Sequence, residues 1–193
     1  MAMGRPRGFD VDEVLEAALR VFWAKGYEGT TMADLSAATK LRAGSIYGAF
    51  GSKEGLFKQV VDRYSDNVYG YGAAALAADS PREVARLWLY GAADATTRPE
   101  YPAGCLLVQG ALAAGDAAIE PGADLRARRQ VAVVKLTERF AEAGELPPDV
   151  DPGDAARYVI ALSQGFAVQA ASGASRAELR SMADLALRQL PWE

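Results

Sequence analysis

Histidine is missing from all 193 residues, and cysteine occurs once, at Cys105. The first absence removes the commonest general base, the commonest metal ligand and the Ser-His and Cys-His nucleophile pairs. The second allows no intramolecular disulfide, which fits a reducing cytoplasm and leaves a thiol switch without its second sulfur. Runs of valine, isoleucine and threonine are scarce, so strands have little to form from. No apolar run approaches the roughly 18 residues that a membrane span needs. The N-terminal MAMGRPRGFD is basic but has no apolar stretch behind it, so neither a signal peptide nor membrane attachment is expected. There is no glycine-rich phosphate loop and no carboxylate constellation; Asp149, Asp151 and Asp154 gather at a helix start and serve as caps. A cytoplasmic, non-enzymatic protein with no cofactor and no metal is the expectation.

What the chain does have is alanine, helix punctuation and a core-sized share of apolar residues, 50%. An all-α fold follows. Net charge is −4, so any affinity for nucleic acid must come from a local patch. Residues 1–66 hold nine Lys/Arg and nine Asp/Glu, which makes them the less acidic part.

Helix starts are legible. Asp10 to Glu13 and Thr31 to Asp34 each place a capping residue three before an acid, and Ser52 opens a helix carrying Leu56, Phe57, Val60, Val61 and Tyr64. Ser80 with Pro81 and Glu83, Asp151 with Pro152, and Ser175 with Glu178 repeat the pattern. Gly26 stops the first helix. The map is three short helices in the first 50 residues, a connecting fourth, and about five longer ones behind, with domains at 1–51 and 52–193. Phe9, Leu15, Leu19, Phe22, Leu35, Ile46, Phe50 and Leu56 suffice for a small core resting on the fourth helix.

The weakest helix candidate lies between two well-signalled ones. In KLRAGSIYGAF, Gly44 and Gly48 each cost roughly 1 kcal/mol relative to alanine. Two short helices joined by a tight turn and followed by a capped third make a helix-turn-helix, whose second helix must enter a major groove roughly 12 Å wide. Ile46 and Phe50, four apart, point inward together, leaving Arg42, Ala43, Ser45 and Gly48 outward. Arg42 suits a guanine edge or a phosphate, Ser45 a base edge, and Tyr47 a backbone oxygen. Lys53, beside the amides of a helix start, suits a phosphate, as do Thr30 and Thr31, with Arg5 and Arg7 as a basic arm. Taken singly, a Tyr or Lys on a helix is more commonly a solvated surface group; it is the combination that points to DNA.

TTMADLSAATKLRAGSIYGAFGSKEGLF closely resembles the DNA-binding segment of the TetR family of bacterial transcriptional repressors, matching at Gly44, Ser45, Ile46, Tyr47, Phe50, Ser52, Lys53, Leu56 and Phe57. The resemblance is looser in GCLLVQGAL, GELPPDVDP and the last two helices. It departs at the turn, where Lys40 takes a position that glycine fills more easily, and at Arg42 and Ala43, where the family tends to have serine and lysine. The operator sequence is therefore open, while Lys40 joins Arg42 and Ala43 in the DNA-facing set.

The resemblance implies a palindromic double-stranded operator, a homodimer formed through the last two helices, and a small-molecule effector held in the C-terminal bundle. The helix from Pro152 is apolar or small nearly all round, so either a partner subunit or the chain's own core must cover it. Tyr158, Ala161, Leu162, Gly165 and Gln169 there, with Leu179, Met182 and Leu185 on the last helix, are the interface candidates. Trp88, Cys105, Gln109, Phe140, Gln164 and Phe166 are the ligand candidates, each with core packing as the alternative. The Arg126, Arg128, Arg129 cluster reads as a solvated face rather than an effector clamp. An effector-independent DNA binder, or a helical small-molecule binder or enzyme without DNA binding, are the rival readings.

Overall fold

The computed structural model describes residues 8–68, 70–113, 120–144 and 146–189; Arg5 and Arg7 lie outside them. Every regular element in this span is an α-helix, in the order α1 Val11–Gly29, α2 Met32–Thr39, α3 Ala43–Phe50, α4 Lys53–Asn67, α5 Tyr71–Leu76, α6 Pro81–Thr96, α7 Leu106–Ala113, α8 Glu120–Ala143, α9 Pro152–Ala171 and α10 Arg176–Gln189.

Local chemistry sets most of the starts. The Asp10 carboxylate accepts from the amides of Asp12 and Glu13, and Ser52 Oγ accepts from Gly55 N at 2.9 Å. Thr31 and Asp34 form the reciprocal capping box, and Ser175 with Glu178 does the same ahead of α10. The turn before α3 is made by Lys40 in the left-handed region, φ 61° and ψ 14°, where a non-glycine residue is strained.

Helix α5 has no counterpart in the sequence-based map. Its start, Gly70, offers no side-chain cap, and its six residues are too few to show periodicity. Tertiary contact holds it. The Tyr71 side chain lies against α6 where a Cβ on Gly91 would come within 2.6 Å of it, and the Tyr71 ring meets Trp88 edge-on at 5.8 Å.

Two apolar cores result. One joins Leu15, Leu19, Phe22, Leu35, Ile46, Phe50, Leu56 and Phe57 of the first four helices, with Phe9 partly buried against it. It continues across position 51/52 and takes in Cys105, Leu106, Leu107 and Val108 at the start of α7. The other fills the space among α6, α8, α9 and α10 around Trp88, Leu136, Phe140 and Phe166. A large side chain fully buried in this way contributes about 1.5–3 kcal/mol, so α3 is held by Ile46 and Phe50.

Candidate nucleic-acid interface

Ile46 is fully buried and Phe50 nearly so, which turns Gly44, Ser45, Tyr47 and Gly48 to solvent. A Cβ built on Gly44 or Gly48 meets nothing within 4 Å, so the slimness of this face is not imposed by the chain's own packing. Arg42 occupies the N-cap position with no side-chain cap bond, leaving its exposed guanidinium uncommitted to the helix. Lys40 is exposed beside it, and Ala43 is half-buried in the first turn of α3.

Lys53 sits at the first position of α4 with its Nζ 4.3 Å from the centroid of the Tyr27 ring. The ring faces a cation it attracts, and so limits where that ammonium swings. No role for Tyr27 follows from the sequence; the one signal there is its place directly after Gly26, whose φ of 70° kinks α1.

The two threonines part company. Thr31 is exposed, but its hydroxyl accepts from Asp34 N and donates to Asp34 Oδ2 at 2.8 Å. Lys25, 2.5 Å away, and then the Thr31 amide and hydroxyl hold the Asp34 carboxyl well below the usual carboxylate range. Thr30 is corrected outright: it is 1% exposed and its hydroxyl donates to Gly26 O at 2.6 Å, so it closes the kink at the end of α1 and offers nothing to a phosphate. Thr30→Val is expected to lower stability by about 1 kcal/mol, through an unpaired carbonyl at Gly26, and to leave duplex affinity unchanged, as thermal melts and fluorescence anisotropy would register.

Behind this face, α4 is tied to the rest of the chain at three points. Arg63 reaches Asp12 and Glu16 of α1 at 2.7 and 3.5 Å. Tyr64 OH donates to Cys105 Sγ at 3.1 Å. Arg128 Nη2 donates to Asp62 at 2.5 Å while its Nε holds Asp124 at 2.8 Å. A fourth contact joins α1 to α7, where Trp23 Nε1 donates to Gln109 Oε1 at 3.1 Å.

These contacts redistribute the ligand candidates. Of the six, only Trp88 lines a cavity of about 830 Å³ between the end of α4 and helices α5 to α8, together with Ser65, Asp66, Gly72, Leu107, Arg128 and Lys135. Phe140 and Phe166 are fully enclosed in the second core, and Gln109 is occupied with Trp23. Cys105 is a buried core residue. Burial pushes its thiol up, so modification by a thiol-specific disulfide reagent is expected only as fast as the native state opens, and rapid labelling at neutral pH would contradict that. Gln164 accepts from Arg129 at 2.6 Å in a separate groove. The arginine cluster is no solvated face: Arg128 and Arg129 are partly buried and bonded to other helices, and only Arg126 is exposed.

Among the interface candidates, Tyr158, Ala161, Leu162, Gly165 and Gln169 form one exposed or half-exposed stripe along α9, joined by Val168, and Met182 and Leu185 lie exposed on α10. Leu179 is removed from the set. It is fully buried in the chain's own second core, and no partner can touch it there.

The sequence model described as bacterial regulatory proteins, tetR family, matches residues 14–60. The HTH-type transcriptional repressor ComR of Escherichia coli is similar along nearly its whole length, with 33% identity over 193 residues that cover 97% of this chain and 92% of ComR. Among solved structures, a cysteine-substituted form of the TetR family regulator CifR, complexed with 26-bp double-strand operator DNA, is 35% identical with a TM-score of 0.88 over 97% of this chain and all of that one. AibR, solved in complex with isovaleryl coenzyme A and operator DNA, shares the fold at a TM-score of 0.68, with 21% identity over 92% of this chain and 96% of its own.

Proposed function

The chain belongs to the TetR family of bacterial transcriptional regulators, and from that membership we propose that it is a repressor that grips a palindromic operator as a homodimer and lets go when a small molecule enters its bundle. The observation that carries the reading is the α3 face: two buried anchors behind, and Arg42, Gly44, Ser45, Tyr47 and Gly48 exposed in front, with nothing within 4 Å of a Cβ at either glycine. Arg42 and Ser45 address base edges, while Tyr47, Lys40 and Lys53 address phosphates.

One α3 reads few base pairs. Two of them related by a two-fold axis read two half-sites, and the apolar stripe of α9 with Met182 and Leu185 is the surface that brings them together. The 830 Å³ cavity favours an effector-responsive protein over an effector-free DNA binder, because Ser65 and Asp66 at the end of α4 form part of its wall. Arg128 lines the same cavity and holds Asp62 of α4, so a ligand that shifts Arg128 while this pair holds drags α4 with it and changes the angle at which α3 is presented. A differential binding energy of a few kcal/mol is enough for release.

Selection of bound fragments from random duplexes tests this reading. A palindromic site is expected, with a steep salt slope that flattens by about one on Lys53→Ala. Equal binding to every duplex at physiological salt would defeat it. Arg128→Gln is expected to keep operator affinity within about threefold, as a partly exposed ion pair warrants. The same change should blunt effector-induced release, measured by anisotropy on the selected site with compounds that shift the melting temperature.

A further inference from the structure

We propose that the groove between α8 and α9 is a second binding site, distinct from the effector cavity, that takes a small organic phosphate on three guanidinium groups. The groove holds about 390 Å³ and is lined by Arg126, Arg129, Arg157 and Gln164 over an apolar floor of Val133 and Ile160, with no carboxylate among the described lining residues. In a chain of net charge −4, three arginines in a described lining that holds no acid are the reverse of the background.

Their hydrogen-bonding capacity is largely unspent. Arg129 Nη2 donates to Gln164 Oε1 at 2.6 Å, which fixes the plane of the fork, while its Nε is buried with no acceptor. Arg126 has no ion-pair partner among the described residues, and Arg157 reaches only Asp154, at 3.7 Å with both side chains largely exposed. Like charges gathered in one groove repel, so an anion seated among the three guanidiniums is stabilised by all of them.

Shape decides which anion. A carboxylate has two oxygens and satisfies one fork, whereas a phosphate monoester presents three oxygens and up to two charges to the three guanidiniums. The groove exceeds what phosphate fills, and its Val133 and Ile160 floor suits an organic remainder. Ala161, at the groove edge, also belongs to the α9 stripe, so the site adjoins the proposed dimer surface.

Isothermal titration of the full-length protein with inorganic pyrophosphate, phosphate and acetate tests the site without any duplex present. Pyrophosphate is expected to bind saturably at one site per chain, phosphate more weakly and acetate not measurably. Arg129→Gln and the double change Arg126→Gln with Arg157→Gln should each weaken pyrophosphate by about tenfold or more. Arg129→Lys, which keeps the charge without the fork, should fall between, and melting curves establish that each variant is folded. Lys53→Ala should leave pyrophosphate affinity unchanged, and Arg129→Gln should leave operator affinity unchanged, so this proposal and the DNA-binding one fail separately. Three results would overturn it: equal weak binding of all three anions, indifference to the arginine changes, or pyrophosphate binding confined to a monomeric Leu185→Glu protein, since the partner subunit then fills the groove.

Discussion

Gly48→Trp is expected to leave the fold intact and to lower operator affinity by about two orders of magnitude, about 3 kcal/mol, or more. Both halves of the result come from the same geometry. A Cβ at Gly48 meets no atom within 4 Å, so the indole has room in the free protein. Tryptophan is also the better helix former, by several tenths of a kcal/mol. On DNA the same space is where the groove wall must come. A helix with its side chains is about 10–12 Å across and the major groove roughly 12 Å wide, so an indole on the leading face holds Arg42 and Ser45 off the bases they would contact. Gly48→Ala supplies the graded control: it should raise stability by about 1 kcal/mol and cost far less affinity. Thermal melts together with anisotropy on the selected operator separate the two effects. Unchanged affinity in the tryptophan variant would mean that this face of α3 does not approach the duplex.

Leu185→Glu should convert a dimer into a monomer at micromolar concentration. Leu185 is 52% exposed, Val168 47%, Tyr158 43% and Met182 40%, and together they are a large apolar surface for a chain to leave in water. A two-fold axis places each substitution in the interface twice. Two carboxylates desolvated without partners raise the dimer dissociation constant by about a hundredfold or more, about 3 kcal/mol at least. Folding should be little affected because the side chain faces solvent in the free protomer. Sedimentation velocity reads the mass directly, and operator titrations should lose affinity for the full palindrome while a single half-site is bound as before. A variant that stays dimeric with unchanged operator binding would place the contact elsewhere.

The correction at Thr30 and the reassignment of Gln109 have a common origin. Both residues carry groups that suit a site, and in each case the partner that occupies the group is not visible from its sequence neighbours. Thr30 is one position from the exposed cap Thr31, yet the kink at Gly26 turns its hydroxyl back onto the Gly26 carbonyl. Gln109 interrupts an apolar run, as a ligand contact would, but its acceptor is taken by Trp23, 86 residues earlier in the chain. Arg128 and Arg129 run the other way, since basic residues at the start of a long helix suggest solvent until Asp62, 66 residues before Arg128, and Gln164, 35 residues after Arg129, arrive against them.

What the sequence determined by itself is everything governed by neighbours within one or two turns. The capping residues Asp10, Thr31, Ser52, Ser80 and Asp151 set where helices begin, Gly26 where the first one breaks, and the four-residue spacing of Ile46 and Phe50 which side of α3 is buried. Those effects are short-range and read in order along the chain, and they were sufficient to expose the slim face of α3. Tertiary structure alone decided the rest: that α5 exists, that α7 docks beneath α1 and α4, that Leu179 turns inward while Leu185 turns out, and that Arg126, Arg129 and Arg157 converge. Each of these depends on which distant surface a helix meets, and an amphipathic or all-apolar helix specifies that it must be covered without specifying by what.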